Sequence, residues 1–386
     1  MTNEELKILV EKYLADTASG QEKAELEAWY ASQDSRPDLF EDERSAEASQ
    51  WSDEIWQSVN KRTIQQPAVE IKTSKRWYRW VAAASILLIG VSVSWFVLNR
   101  PQKNTEPEVA SRYTGTDVLP GSFKAKLTLA DGRSIVLDST GRGELAKQGT
   151  AAVVNQDGQL TYNDTKTSAP DLSPLYNTVS TNKGETYSLQ LADGSIISLN
   201  SGSSVYFPAS FPGKERRIKI RGEVFVKVAK NPQQPFIAEV NGMEVLALGT
   251  EFNINSYADE GVVRTTLIEG SVKVSKGESL AILKPGQQAV LGQAQNEITV
   301  SKDIDLKKTL AWVSNKFIFE KDELPMILRQ LARWYDIEVV YEGKLPSYKF
   351  SGIISRQQNA SAVLSMLKET GSIHFRIEGK TLIVTP

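Results

Sequence analysis

The sequence predicts a multidomain fold: a small α-helical cytoplasmic domain, one transmembrane helix, an all-β periplasmic domain of β-solenoid or sandwich type, and a C-terminal α/β domain in the order βαββαββ. Three observations carry this expectation. An uncharged apolar run of helical length lies near residue 90, acidic segments of helical period precede it, and short alternating runs punctuated by Asp-Gly and Asn-Gly pairs follow it. With 386 residues the chain has room for several cores, and the expected boundaries are 1–64 (helical), 65–79 (basic linker), 80–99 (membrane helix), 100–123 (linker), 124–305 (all-β) and 315–386 (α/β).

The first segment sets Leu6, Leu9, Val10, Tyr13 and Leu14 on one helical stripe. Gly20 breaks that stripe, Leu26, Trp29 and Tyr30 mark a second helix, and Leu39, Phe40, Trp51, Ile55, Trp56 and Val59 mark a longer third stretch. About 60 residues bury little surface, so such a bundle is marginal alone and suited to wrap a partner. Its charge points the same way: residues 1–70 hold 16 acidic and 7 basic side chains, while the remainder holds 31 acidic and 38 basic. An acidic solvated face would have the same composition.

Trp80 to Leu98 is a 19-residue apolar run. At ~1.5 Å per residue it would cover about 28 Å, close to the ~30 Å hydrocarbon core of a bilayer. Lys72, Lys75, Arg76 and Arg79 crowd its N-terminal side, and Trp77, Tyr78 and Trp80 face Trp95 and Phe96 as aromatic flanks. The positive-inside rule then expects a single-pass membrane protein in contact with lipid, its N-terminus cytoplasmic and its C-terminal 287 residues, from Arg100 on, exported. Small residues within the run also fit a helix that an intramembrane protease could unwind and cut.

Between Lys124 and Val300 no helical period stands out, and Asp131-Gly132, Asp157-Gly158, Asp193-Gly194 and Asn241-Gly242 read as hairpin turns. The tetrapeptide LADG occurs at 129–132 and again at 191–194, and G-x-V-x-V recurs at 222–226 and 270–274. Arg217, Lys219 and Arg221 alternate with Ile218 and Ile220, as a solvated outer face or a patch for an acidic partner. From Asn315 the pattern becomes β-α-β-β-α-β-β, with Asp322 expected to cap the first helix, Asn359 the second, and Gly371 to close it.

Chemistry is sparse. The absence of cysteine and the single histidine, His374, exclude disulfides, thiolate sites and multi-histidine metal centres. His374 alternates with Ile373, Phe375 and Ile377 on the wet face of a strand. The TGRGELA stretch has dinucleotide-loop spacing but no βαβ context, so no cofactor, metal or catalytic residue is expected. Gly249-Thr250 is the one chemical candidate, for a threonine hydroxyl can attack the carbonyl just before it and start self-cleavage. The same pair also reads as a glycine bulge before a β-former.

The stretches TNKGETYSLQLADGSIISLNSGSSVYFPASF (181–211), RGEVFVKVAKNPQQPFIAEVNGMEVLALGTEFNINSY (221–257), TTLIEGSVKV (265–274) and LKPGQQAVL (283–291) resemble the periplasmic core of the FecR-type anti-sigma factors of Gram-negative bacteria. LRQLARWYDIEVVYEG (328–343) and FSGIISR (350–356) are similar to the C-terminal module of that family, related to the small signalling domain of secretins and TonB-dependent transducers, and EKYLADTASGQEKAELEAWYAS is similar to its sigma-binding helices. The resemblance implies a non-enzymatic regulator of transcription, set in the inner membrane and concerned with iron or nutrient uptake, that does not itself bind DNA. It would hold an extracytoplasmic-function sigma factor through Leu9, Tyr13, Leu14, Leu26, Trp29, Tyr30, Phe40, Trp51 and Trp56, with Lys75, Arg76, Trp77, Arg79, Trp80 and Trp95 flanking the anchor. A TonB-dependent outer-membrane transducer would signal to it, and envelope and intramembrane proteases would release the sigma factor. Some members are thought to split at the position matching Gly249-Thr250. A membrane-anchored envelope glycan-binding protein or glycan hydrolase is the alternative reading.

Overall fold

The computed structural model describes residues 19, 21, 117–138, 143–149, 151–156, 159–164, 174–292, 296–344, 347–369 and 373–386. These residues are strand-dominated, which corrects the expected fold class to a mostly β one, and no helix among them is long and apolar enough to cross a membrane. The longest described helix, Leu324–Tyr335, has 12 residues and spans about 18 Å at ~1.5 Å per residue, well short of a bilayer core. The helical and membrane segments expected at 1–64 and 80–99, and Gly371, lie outside the described residues, two isolated positions apart.

Among the described residues, nineteen strands between Ser122 and Ser301 join in one nearly closed, barrel-like sheet. One run orders Ser134–Asp138, Ser122–Thr128, Tyr176–Ser180, Ser204–Pro208, Arg216–Arg221, Phe236–Val240, Met243–Ala247, Val272–Lys276 and Ser279–Leu283. The other orders Gly143–Gln148, Ala151–Gln156, Gln159–Asp164, Glu185–Gln190, Ile196–Leu199, Glu223–Lys227, Glu251–Asn255, Val262–Glu269, Gln288–Gly292 and Ile298–Ser301. A parallel contact, Ser122 with Glu185 and Phe123 with Thr186, joins the two. The expected β-solenoid or sandwich is also corrected to this barrel-like sheet: most of the described pairs are antiparallel, and several join strands distant in sequence, such as Ser122–Thr128 with Tyr176–Ser180 and Glu223–Lys227 with Glu251–Asn255. Alternate residues such as Leu127, Leu189, Phe207, Phe236, Val245 and Phe252 fill one common core. Each such side chain contributes about 1.5–3 kcal/mol on burial.

The turns divide into two kinds. Asn241 and Gly242 both take positive φ, at 50° and 75°, and close a two-residue hairpin between Val240 and Met243. In each LADG copy only the glycine does so, Gly132 at 85° and Gly194 at 86°. Its N–H donates to the leucine carbonyl three residues back, Leu129 or Leu191, so LADG is an ordinary turn followed by one left-handed glycine. The Asp157-Gly158 pair lies outside the described residues.

After the last strand, α1 (Leu306–Thr309) starts at Asp305, whose side chain accepts from Lys308 N. Leu310, Trp312 and Val313 then pack on Phe225 and Ile268 at the back of the sheet. Glu223–Lys227 is therefore covered on both faces, Val224 and Val226 inward and Phe225 outward. The C-terminal module follows: Lys316–Glu323, α2 (Leu324–Tyr335), Glu338–Tyr341, Lys349–Ser355, α3 (Ala360–Glu369), His374–Glu378 and Thr381–Thr385. Its strands form an antiparallel pair, 316–323 with 349–355, and a three-stranded sheet with Thr381–Thr385 in the middle. Asp322 does not cap α2. It belongs to the preceding strand, accepts from Glu320 N and pairs with Lys308 at 2.6 Å, leaving Glu323 at the cap position without a side-chain bond.

Candidate functional site

The expected sigma-binding residues Leu9, Tyr13, Leu14, Leu26, Trp29, Tyr30, Phe40, Trp51 and Trp56 lie outside the described residues, as do Lys75, Arg76, Trp77, Arg79, Trp80 and Trp95. Gly249 and Thr250 are described, in the connection between Met243–Ala247 and Glu251–Asn255, just before a register shift at Glu251 and Phe252. Gly249 is required there: a Cβ would lie 2.9 Å from the Lys230 Cα. Thr250 is buried, its carbonyl accepts from Val228 N at 2.9 Å, and its hydroxyl has no hydrogen-bond partner among the described residues.

The basic alternation at 216–221 proves two-sided. Arg217 pairs with Glu215 and Glu244 and Lys219 with Glu239, so acidic neighbours offset most of the charge on the outer face. Arg216, in phase with Ile218 and Ile220, points inward and is wholly buried. Its guanidinium donates to Asp193 Oδ2 at 2.7 Å, to the Gln234 carbonyl at 2.7 Å and to that of Ala229 at 2.8 Å, and lies 5.5 Å from the Phe236 ring centre. Asp193 belongs to the second LADG, whereas Asp131 of the first binds exposed Arg133.

The richest polar constellation lies where the C-terminal module meets the β domain. Arg356, at the end of Lys349–Ser355, is buried with its guanidinium carbon 3.9 Å from the Trp334 ring centre and 5.3 Å from that of Phe317. It reaches Asn200 Oδ1 at 3.1 Å, and Asn200 Nδ2 donates onward to Glu223 Oε2 at 2.8 Å. Asn253 donates to the other Glu223 oxygen at 3.2 Å. Arg333 of α2 pairs with Asp259 at 2.7 Å and Glu260 at 2.8 Å and stacks 4.2 Å from the Tyr257 ring centre. Tyr257 in turn donates to the Ser201 carbonyl at 2.6 Å. Burial pushes the Glu260 carboxyl up, but hydrogen bonds from Arg329 and Arg333 outweigh it and hold the group below the ordinary carboxylate range. This arrangement can hold two domains in one orientation. Among the described residues no group of His, Asp and Glu could hold a metal ion.

Residues 177–273 match the FecR protein family and residues 316–384 match the FecR, C-terminal family. Two FecR-family domains are thus present in this chain, at 177–273 and 316–384. The first match runs from within Tyr176–Ser180 to the start of Val272–Lys276, and the second covers nearly all of the C-terminal module, so the polar seam is made between the two family domains. Two solved structures of a Parabacteroides distasonis ATCC 8503 protein provisionally assigned as an anti-sigma factor, at 1.65 and 2.50 Å, are similar. Each is 25% identical and spans 54% of this chain, covering 97% and 98% of its own length, with TM-scores of 0.49 and 0.50. No curated protein matches the chain significantly.

In this FecR-family seam Glu223 is the group that sequence reasoning missed. Burial pushes its carboxyl above the ordinary value of 4.5, and hydrogen bonds from Asn200 and Asn253 with the charge of Arg333 offset only part of this. A raised carboxyl favours its protonated form in the folded state, so its contribution is full at low pH. That contribution is lost as pH rises through the window from 4.5 to the raised value. Glu223→Gln mimics the protonated acid. The melting temperature of the variant minus that of wild type should grow more positive as pH rises above 4.5 and level off once pH passes the raised value. A difference that stays constant with pH would contradict the assignment.

Proposed function

We propose that this protein, with its two FecR-family domains, is an anti-sigma signalling protein. Residues 1–79 hold an extracytoplasmic-function sigma factor in the cytoplasm, and the β domain with its C-terminal module works in the periplasm, reading an outer-membrane TonB-dependent transducer. The observation that carries the reading is the tandem of FecR and FecR C-terminal matches on two domains packed as one unit, with the similar structure at TM-score 0.50 in support. The acidic excess of residues 1–70 complements a basic, DNA-binding partner. On this reading the chain performs no turnover chemistry, and proteolysis releases the sigma factor.

Gly249-Thr250 supplies one cut in that proteolysis. The Thr250 oxygen attacks the Gly249 carbonyl carbon, the Gly249–Thr250 C–N bond breaks, and the hydroxyl proton passes to the departing nitrogen, leaving an ester and a free amine. One water molecule then hydrolyses the ester to a Gly249 carboxylate and restores the Thr250 hydroxyl. A buried hydroxyl with no hydrogen-bond partner among the described residues, next to a glycine at a φ of 156°, supports this chemistry.

The test of the main reading is capture. Residues 1–79 and the full chain should each co-purify with a sigma factor encoded nearby, and a sigma-dependent reporter should fall when either is expressed. Failure of both to hold every candidate sigma factor would sink it.

A further inference from the structure

Residues 117–121 precede the first strand, yet their partners lie in the C-terminal module some 240 positions later. The Asp117 carboxylate accepts from the Ser361 hydroxyl at 2.7 Å and from Ser361 N at 3.1 Å. The Val118 carbonyl accepts from Ala360 N at 2.9 Å, so this short segment satisfies the first donors of α3. Gly121 lies against Trp334 of α2. A Cβ there would come within 2.5 Å of the Gly184 carbonyl oxygen and 2.7 Å of Trp334 Cζ3, so glycine is needed for the approach. Gly184 completes the stitch by donating to the Arg333 carbonyl and accepting from Ser122 N, both at 2.8 Å. Trp334 is itself held, since its indole N–H donates to the Arg356 carbonyl at 2.8 Å while the Arg356 guanidinium stacks on its ring.

The contacts form one continuous path, from Asn200 through Arg356 and Trp334 to Gly121, with α3 and Asp117 at its far end. We propose that residues 117–121 are a strap gripped by the C-terminal module, so that loosening of the module and release of the chain on the N-terminal side of Ser122 are a single event. The device converts an event at the C-terminal module into a change in the part of the chain that precedes the β domain. It uses no mobile loop and no catalytic group. It stands whether or not the chain binds a sigma factor, because it concerns only which contacts open together.

Hydrogen exchange on the full chain tests the coupling from both ends. Asp117→Ala removes the strap's side-chain bond to Ser361, Arg356→Ala loosens the module at its seam with Asn200 of the β domain, and neither residue touches the other. Asp117→Ala should speed exchange at Ala360 and Ser361, and Arg356→Ala should speed it across residues 118–122, each by about tenfold or more. The amides of Met243–Ala247, deep in the β domain, should be unchanged in both. If Arg356→Ala also strips protection from the α2 core at Ile327 and Leu328, Asn200→Ala replaces it and is read by the same strap amides. The proposal is overturned if the strap variant changes exchange only at 117–118, or if the module-side variant leaves the strap as protected as in wild type.

Discussion

Arg216→Ala should be the most destabilising single change in the β domain, with a loss of about 3–5 kcal/mol. The guanidinium is wholly buried and holds Asp193 and the backbone carbonyls of Ala229, Asn231 and Gln234, tying the second LADG turn to the 228–235 connection, while the Asp193 side chain is only 10% exposed. Removing the cation leaves a carboxylate in a low-dielectric site with hydrogen bonds from Ser195 alone among its described neighbours. For domains of this size ~1 kcal/mol shifts the midpoint by about 2–4 °C, so thermal unfolding should show a drop of roughly 10 °C. Arg216→Lys should fall between, because one ammonium cannot span the fork of partners. The double change Arg216→Met with Asp193→Ala should recover part of the loss by removing both charges together. A shift for Arg216→Ala below about 1 kcal/mol would show that the buried pair is not what fixes these turns.

Thr250→Val has the opposite sign for stability and the largest effect on processing. Valine keeps the shape of threonine and removes a buried hydroxyl that has no partner among the described residues. An unpaired buried hydroxyl costs about 1–3 kcal/mol, so the variant should melt a few degrees higher, not lower. It also lacks the nucleophile. Any fragment pair produced by self-cleavage between Gly249 and Thr250 in the wild type should vanish, with all the chain at full length on a denaturing gel and by intact mass. The same fragments from both proteins would rule out Thr250 as the nucleophile. Cleavage lost together with a lower melting temperature would point to misfolding instead, and Thr250→Ser then separates the two because it restores the hydroxyl.

Much of the local structure was legible. The alternation of Ile218 and Ile220 with Arg217, Lys219 and Arg221 marks a strand with one wet face, and that is how Arg216–Arg221 lies. His374 sits on the exposed side of its strand for the same reason. Arg216 was readable in principle, since it is in phase with the two isoleucines, but an arginine at an inward position takes meaning only from its partner, and Asp193 is 23 residues away. The identical tetrapeptide LADG illustrates this limit. Both copies build the same turn, yet one aspartate is a surface group beside Arg133 and the other anchors a buried cation.

The reading of the β domain as a solenoid failed at a related point. The G-x-V-x-V repeat is real in sequence, but Glu223–Lys227 and Val272–Lys276 belong to opposite runs of the sheet, and only the former is covered on its back by Leu310, Trp312 and Val313. Asp322 failed as a helix cap because Lys308, 14 residues earlier, offered its carboxylate a charged partner.

The sequence by itself determined the strand periods, the glycine turns, the βαββαββ order of the C-terminal module and the likeness of its two matched domains to the FecR family. All of these rest on residues within a few positions of each other, whose spacing alone decides which face is apolar and where φ must be positive. Only the tertiary structure decided which run of the sheet each strand joins, that Glu223 is buried beneath Asn200 and Arg356, and that Asp117 caps a helix 244 residues away. Such pairings depend on segments brought together by burial of the common core, and no local pattern records which distant group will arrive to satisfy a buried charge.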